Sequence, residues 1–174
     1  MIYKWKYQTP SGFDDIIMSS DGEYLIGLWF EGSNDEKKHN NNCQSKYLKI
    51  FKETTKWLDI YFSGKIPNFI PKYKINGLTS FRKKVIDIMN NIPYGEIITY
   101  KDIALSISDN MSSQAVGGAV GWNPICIIIP CHRVIGSNSN LIGYGGGINN
   151  KQELLKLEGH SIEDGCVKDD FKEM

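Results

Sequence analysis

No run of apolar residues in this 174-residue chain is long enough to cross a bilayer, since a spanning helix needs about 20 of them. Met1 to Tyr7 alternates aromatic and polar side chains and lacks the continuous apolar segment of a secretory signal, so a cytoplasmic location is expected. Neither sign of charge dominates, because 20 Lys and Arg stand against 20 Asp and Glu. This argues against a large basic surface, and any nucleic-acid binding has to come from locally placed charge. The four cysteines, Cys43, Cys126, Cys131 and Cys166, form no CxxC pair and have no zinc-like spacing to the three histidines. Reduced thiols and no metal are the expectation. Nucleotide and flavin motifs are missing too, so no cofactor is expected.

What is present suits a folded globular chain, with 41% hydrophobic and 23% charged residues. The first third reads as strands followed by a helix. Tyr3, Trp5 and Tyr7 alternate with Ile2, Lys4 and Lys6, which suits a half-buried strand. Ile16 to Ser19 and Tyr24 to Phe30 flank Asp21-Gly22, a dipeptide that favours a tight hairpin. Glu31 to Asn42 is polar and aperiodic, and is expected to be a long exposed loop. Tyr47, Ile50, Phe51, Thr54, Trp57, Leu58 and Tyr61 then recur at helical spacing, with a stop expected near Ser63-Gly64. Pro67 to Pro71 reads as a connector.

After Thr79-Ser80, a good N-cap pair, Phe81, Val85, Ile88, Met89 and Ile92 form a second stripe that Pro93-Tyr94-Gly95 ends. Thr99 with Asp102 makes a capping box for a short helix through Ile103, Ala104 and Leu105. Ser108 to Met111 reads as a turn, and Ser112 or Ser113 caps a third helix over Gln114-Ala115-Val116-Gly117-Gly118-Ala119-Val120. Two short helices joined by a tight turn resemble a helix-turn-helix. Each glycine inside a helix costs about 1 kcal/mol relative to alanine, so something should compensate. Tight core packing and close approach to a nucleic-acid backbone both fit.

Ile125-Cys126-Ile127-Ile128-Ile129 is a β-branched apolar run, expected to be a buried strand that Pro130 ends. Cys126, Cys43 and Cys166 read as a buried strand residue, a loop thiol and a tail thiol. Cys131 and His132 would emerge where that strand ends. A free thiol has a pKa of about 8.5, so a nucleophilic cysteine needs a base nearby, and His132 is a candidate. Leu141-Ile142-Gly143-Tyr144-Gly145-Gly146-Gly147 supplies flexible backbone and one aromatic ring, suited to closing around a flat ligand. Asn149 is expected to cap a helix with Leu154 and Leu155 on its inner face. Glu158 and Gly159 finish that helix, where Glu158 could turn inward and orient a histidine.

Pro130-Cys131-His132-Arg133-Val134, preceded by Asn123-Pro124 and followed by Gly143-Tyr144-Gly145-Gly146-Gly147, resembles the active-site signature of the O6-alkylguanine-DNA alkyltransferases. The resemblance extends to Gly95-Glu96-Ile97-Ile98-Thr99-Tyr100, Gln114-Ala115-Val116-Gly117-Gly118-Ala119 and Leu157-Glu158-Gly159-His160, about the C-terminal half of the chain. It implies an α+β fold: a small antiparallel sheet with a helix over residues 1–75, in a ribonuclease-H-like layout, then a helical domain over 76–162 with a winged-helix-like helix-turn-helix. Residues 163–174 would be a polar acidic tail. The implied partner is double-stranded DNA carrying O6-alkylguanine, with O4-alkylthymine a second candidate lesion, and the protein is expected to act as a monomer.

By the same resemblance, the damaged base is flipped into a pocket and Cys131 takes its alkyl group. His132, acting through a water and oriented by Glu158, removes the thiol proton, while Tyr100 donates a hydrogen bond to the departing base. Asn123, Val134, Tyr144 and Gly145 would line the pocket; Gln114, Ala115, Gly117, Gly118 and Arg133 would meet the DNA. Tyr100 is also readable as a packed helix-start aromatic and Asn123 as a plain turn residue. A thioether is a poor leaving group, so each molecule would react once. Two other readings remain open to the same residues: a damage-binding or regulatory helix-turn-helix protein, and a Cys-His hydrolase acting repeatedly on a small molecule.

At position 114 the family commonly has an arginine. Glutamine can bond to the orphaned base but brings no charge to the phosphates, so weak DNA binding with a shallow salt dependence is expected. Gln114→Arg should tighten binding and steepen the slope of log affinity against log salt by about 1. Identical affinities and slopes in a salt titration of the two proteins would rule the explanation out.

Overall fold

The computed structural model describes residues 1–39, 42–141 and 143–168, and the chain divides into two units. One comprises Met1–Gly77 together with Pro124–Ile128, and the other Leu78–Asn123 with the chain from Ile129 onward. The fold is mixed α+β.

In the first unit, strands β1 (Ile2–Tyr7), β2 (Ile16–Ser20), β3 (Leu25–Phe30) and β4 (Cys43–Ser45) form a sheet in the order β3-β2-β1-β4. The hairpin between β2 and β3 closes as its sequence predicts: Gly22 adopts φ 112°, and the Asp21 carboxylate accepts the Glu23 and Tyr24 amides at 3.0 and 2.9 Å. The sheet departs from the antiparallel expectation at one edge, because β4 joins β1 in parallel. Helix α1 (Lys49–Phe62) buries Ile50, Phe51, Thr54, Trp57, Leu58 and Tyr61, the stripe read from its spacing. Tyr47 lies before the helix, exposed, with its ring 4.9 Å from that of Trp5. Tyr7 ties strand to helix by donating to Asp59 at 2.8 Å.

Two expectations for this unit need correction. Glu31 to Asn42 is not simply an exposed loop. Asn34–Lys38 forms a 3₁₀ turn, Asp35 is buried and accepts the Cys126 thiol at 3.2 Å, and the His39 ring stacks on Trp29 at 3.9 Å. Residues 40 and 41 of that stretch lie outside the described residues. Ile125–Ile129 is buried, as its composition demands, yet it is not a strand. Only Ile125 bridges a strand, alongside Leu28, and the chain then tightens, with the Ile128 amide on the Cys126 carbonyl at 2.8 Å. Ile127 takes φ 70°, a conformation in which a β-branched residue is an outlier. A short apolar run signals burial; its secondary structure depends on whether a neighbouring edge can pair along its whole length.

In the second unit, helix α2 (Ser80–Asn90) starts at Thr79, whose hydroxyl accepts the Arg82 amide at 3.2 Å. Helix α3 (Tyr100–Ile107) starts at the predicted Thr99–Asp102 capping box. Helix α4 (Ser113–Trp122) is capped by Ser112, which accepts the Ala115 amide at 3.0 Å. Strand β5 (Ile98–Thr99) pairs in parallel with β6 (Val134–Ile135), Ile98 opposite Val134, which fixes the start of α3 beside the segment that follows Cys131.

Helix α5 (Ile148–Leu157) is preceded by Gly147 at φ 98° in the N-cap position, so Asn149 does not cap it. Asn150, one turn in, instead donates to the Gly146 carbonyl at 2.7 Å. The stretch from Glu163, read from the sequence as a polar tail, contributes to a hairpin of β7 (Ile162–Glu163) and β8 (Cys166–Val167). Val167 packs with Ile135, Leu141 and Leu155, while residues 169–174 lie outside the described residues. Among the described residues no helix is long and apolar enough to cross a membrane.

The glycines of α4 separate tight packing from close approach of a partner. A methyl group built on Gly118 or Gly121 would meet nothing within 4 Å, and one on Gly117 would only touch the Tyr100 ring at 4.0 Å. Internal packing does not demand them, and the face of α4 bearing Gln114, Ala115 and Gly118 is smooth and exposed.

His39 gives the first unit a titratable weak point. Burial, reinforced by the Lys38 charge and opposed by Asp35, lowers its pKa from 6.5 to about 4. Between those values the unfolded chain binds a proton that the folded chain refuses, so stability rises with pH from about 4 to about 6.5 and is lost as pH falls. His39→Phe, which keeps a ring on Trp29 but cannot titrate, should flatten that limb in a series of Tm measurements against pH. An unchanged limb would refute the assignment.

Candidate active site

Pro130 ends the tight turn, and Cys131–Arg133 forms a single 3₁₀ turn in which successive side chains point about 120° apart. This geometry replaces the strand end expected from the sequence. It sends Cys131, His132 and Arg133 in three directions, and all three are buried. Asn123, the residue after α4, is buried and donates from Nδ2 to the Ile129 carbonyl at 3.0 Å. The end of α4 is thereby tied to the backbone two residues before the cysteine.

His132 and Arg133 converge on one carboxylate. His132 Nε2 lies 2.6 Å from Glu158 Oε2. Arg133 donates from Nε to Oε1 at 2.8 Å and from Nη2 to Oε2 at 3.1 Å, and its Nη1 reaches the Ile92 carbonyl at 2.8 Å. The Gly95 amide adds a bond to Oε1 at 3.0 Å, from a turn in which Gly95 holds φ 83°. Glu158 closes the C-terminal end of α5, where carbonyl dipoles disfavour negative charge. Burial opposes its ionisation as well, but the bonds and charges of His132 and Arg133 outweigh both and hold its carboxyl well below the usual range. His132 goes the other way: burial lowers its pKa against the opposing pull of Glu158, so the ring is neutral.

The other side of Cys131 is aromatic. The Tyr144 hydroxyl is 4.0 Å from the sulfur, and Tyr144 belongs to the glycine-rich loop, tightened by the Gly147 amide on its carbonyl at 2.9 Å. Gly145 sits in the same turn; Ile142, part of the loop's motif, lies outside the described residues. Tyr100, the first residue of α3, is kept protonated, because burial, with Cys131 adding to it, raises its pKa to about 12.

Sequence reasoning missed Lys151. Its side chain is fully buried, donates from Nζ to the Val134 carbonyl at 2.7 Å, and lies 6.0 and 5.8 Å from the Tyr100 and Tyr144 ring centres. A signal was available: Lys151 precedes Leu154 and Leu155 by three and four residues, which puts it on their face of α5. Its charge works against that signal, because a lysine is almost never fully buried.

The predicted residues thus fall into two groups. Cys131, His132, Glu158, Val134, Tyr144 and Tyr100 gather around one buried centre, whereas Gln114, Ala115 and Gly118 lie exposed on α4, with Gly117 half-buried against Tyr100. Arg133, expected to face DNA, is turned inward onto Glu158, because a buried carboxylate needs a compensating cation.

Residues 80–160 match the family described as 6-O-methylguanine DNA methyltransferase, DNA binding domain. The chain is 47% identical over 154 residues, 88% of its length, to the methylated-DNA–protein-cysteine methyltransferase of Methanosarcina acetivorans, of which it covers 96%. It is 38% identical over 159 residues to the Haemophilus influenzae protein of the same name, covering 90% of this chain and 86% of that one. A crystal structure of Mycobacterium tuberculosis OGT in complex with DNA superimposes with a TM-score of 0.78 at 34% identity, covering 90% of this chain and 92% of the other.

Arg133→Met should strand the Glu158 charge and cost about 3–5 kcal/mol of stability, read from urea unfolding. A loss within about 0.5 kcal/mol, accompanied by weaker DNA binding, would return Arg133 to the DNA-facing role.

Proposed function

The chain belongs to the methylated-DNA–protein-cysteine methyltransferase family, and on that premise we propose that it repairs DNA by moving a methyl or small alkyl group from O6-alkylguanine onto its own Cys131. The observation that carries this reading is the buried line from Cys131 through the adjacent His132 to Glu158, with His132 Nε2 2.6 Å from the carboxylate. Glu158 fixes the imidazole tautomer by accepting at Nε2, so Nδ1 is the nitrogen that takes the thiol proton, by way of a water. A neutral His132, the form its burial favours, is the form able to act as a base.

The displacement forms a carbon–sulfur bond as the carbon–oxygen bond to the purine breaks, and the bonding pair stays with guanine. Tyr100, held as the phenol, donates to the ring as negative charge develops there. Tyr144 and the Gly145 amide wall the pocket, and the Val134 carbonyl offers it an acceptor. No group at the centre is suited to cleaving the thioether, so the protein acts once. Catalytic roles are accordingly assigned to Cys131, His132, Glu158 and Tyr100.

DNA approaches the exposed face of α4, where Gln114 would fill the gap left by the flipped base and Ala115 and Gly118 admit the backbone closely. The amides at the start of α4 favour a phosphate there. In this reading the second unit is a winged-helix-like module built on α3 and α4, and the first has a ribonuclease-H-like layout; boundaries at 1–75 and 76–162 differ from the two units in that Pro124–Ile128 groups with the first. The protein works as a monomer, in the compartment that holds the DNA, the cytoplasm.

Intact mass measurement after incubation with duplex O6-methylguanine DNA, followed by peptide mapping, tests the reading. One methyl group on Cys131 per molecule is expected, and none in Cys131→Ser. Repeated turnover, or a methyl group elsewhere, would replace it with one of the other two readings.

A further inference from the structure

The second unit, which carries α4, holds nine basic residues against eleven acidic ones, whereas the first holds eleven lysines against nine acids. Helix α4 itself has no charged side chain. Neutralised phosphates supply much of the affinity of any protein for nucleic acid, so the excess of cations in the other unit calls for an account. These cations are not scattered. Lys49, Lys52 and Lys56 of α1 are exposed and recur at i, i+3 and i+7, which sets them along one face of the helix over about 10 Å.

The three lysines line an open groove of about 730 Å³, together with Tyr47, which precedes the helix, and with Glu53 and Asp59 as its acids. Asp59 is engaged by the Tyr7 hydroxyl at 2.8 Å. Among the described residues Lys49, Lys52 and Lys56 form no ion pair. Lys49 and Lys52 stand in the first turn of α1, where no acid offsets them and the helix dipole is itself positive. The fold gains nothing internally from cations in that place; an anion brought to them does. Aromatic rings carry the groove on toward the sheet. Tyr47 is 50% exposed and Trp5 37%, and their rings lie 4.9 Å apart, inclined at 52°, so neither covers the face of the other. Tyr3 shares a face of β1 with Trp5, and the Lys46 ammonium lies 5.5 Å from its ring centre.

We propose that this face of the first unit binds a single strand of nucleic acid, with Lys49, Lys52 and Lys56 on its phosphates and Tyr47 and Trp5 stacked against its bases. A row of cations beside open aromatic rings is what an unpaired strand requires, because each unpaired base offers a flat face to a ring. In a duplex the bases are already stacked on one another, and such a surface would meet phosphate alone. An acidic peptide would satisfy the lysines and leave the rings without a partner. Stacking accepts every base, so the strand is held with little regard to sequence. The inference goes beyond alkyl transfer and does not depend on it. None of these residues belongs to the centre around Cys131, and binding here needs no damaged base.

Fluorescence anisotropy of a labelled oligothymidylate, which contains no guanine to carry a lesion, tests this on the full chain. Wild type should bind the oligonucleotide more tightly than a duplex of the same length, with an affinity that falls as salt rises. Lys49→Gln and Lys52→Gln together should reduce the slope of log affinity against log salt by about 1.4, at about 0.7 for each phosphate contact on a single strand. Tyr47→Ala should weaken binding about tenfold and leave the slope in place, which separates stacking from charge. The three positions are exposed, so the variants should keep the wild-type Tm, and each can be judged as a folded protein. Tighter binding to the duplex, a slope unmoved by the two lysine replacements, or full affinity in Tyr47→Ala overturns the proposal. So does polyglutamate that displaces the oligonucleotide at an equal concentration of charge, because the groove would then be a site for any polyanion.

Discussion

Glu158 ionises in a place that opposes it twice, at the carbonyl end of α5 and out of reach of water. A lone carboxylate would take up a proton there. Arg133, His132 and the Gly95 amide make the charge tolerable, and each is thereby fixed in turn. One carboxylate thus locks the 3₁₀ turn that carries Cys131, orients the imidazole beside it, and draws in the turn that precedes β5. Buried ion pairs contribute little net stability as a rule; this one contributes geometry, which a reaction by direct displacement requires.

The cysteine consequently stands between two unlike environments. Toward Glu158 and the turn at Gly95 lies a hydrogen-bonded network around a fixed charge. Toward the glycine-rich loop lie two tyrosines and a lysine, and burial has moved the protonation of Tyr100 and Lys151 away from ordinary values. Perturbed groups of this kind gather where protons move. The contrast between Arg133, paired and permanently charged, and Lys151, able to lose its proton, follows from the chemistry of the two side chains.

Recognition and chemistry also draw on different features of the same unit. The reactive centre is enclosed, whereas the face of α4 is open and lined by the smallest side chains. A methyl group at Gly118 or Gly121 would meet nothing inside the protein, so the helical stability these glycines forgo has no return in packing. Close approach of DNA, as proposed above, would offset that loss, and a methyl group built at Gly117 would lie 4.0 Å from the Tyr100 ring.

Local rules explain most of what could be read from the sequence. The hairpin at Asp21-Gly22, the stripe of α1, and the caps at Thr79, Thr99 and Ser112 each depend on residues within a few positions of one another, and so does the motif around Cys131. Apart from the Asn149 cap, the expectations that failed depended on distant partners. Ile125–Ile129 lacked an edge to pair with along its length and became a tight turn. The stretch after Glu31 was ordered by Trp29 and Cys126, and Arg133 turned inward because Glu158, 25 residues away, needed its charge. Sequence determined which residues are able to carry the proposed chemistry, since side-chain identity sets what a group can do. Tertiary structure alone decided which charges are buried and which groups compensate them, because desolvation is a property of the surroundings, and that is how Lys151 came to lie buried against the rings of Tyr100 and Tyr144.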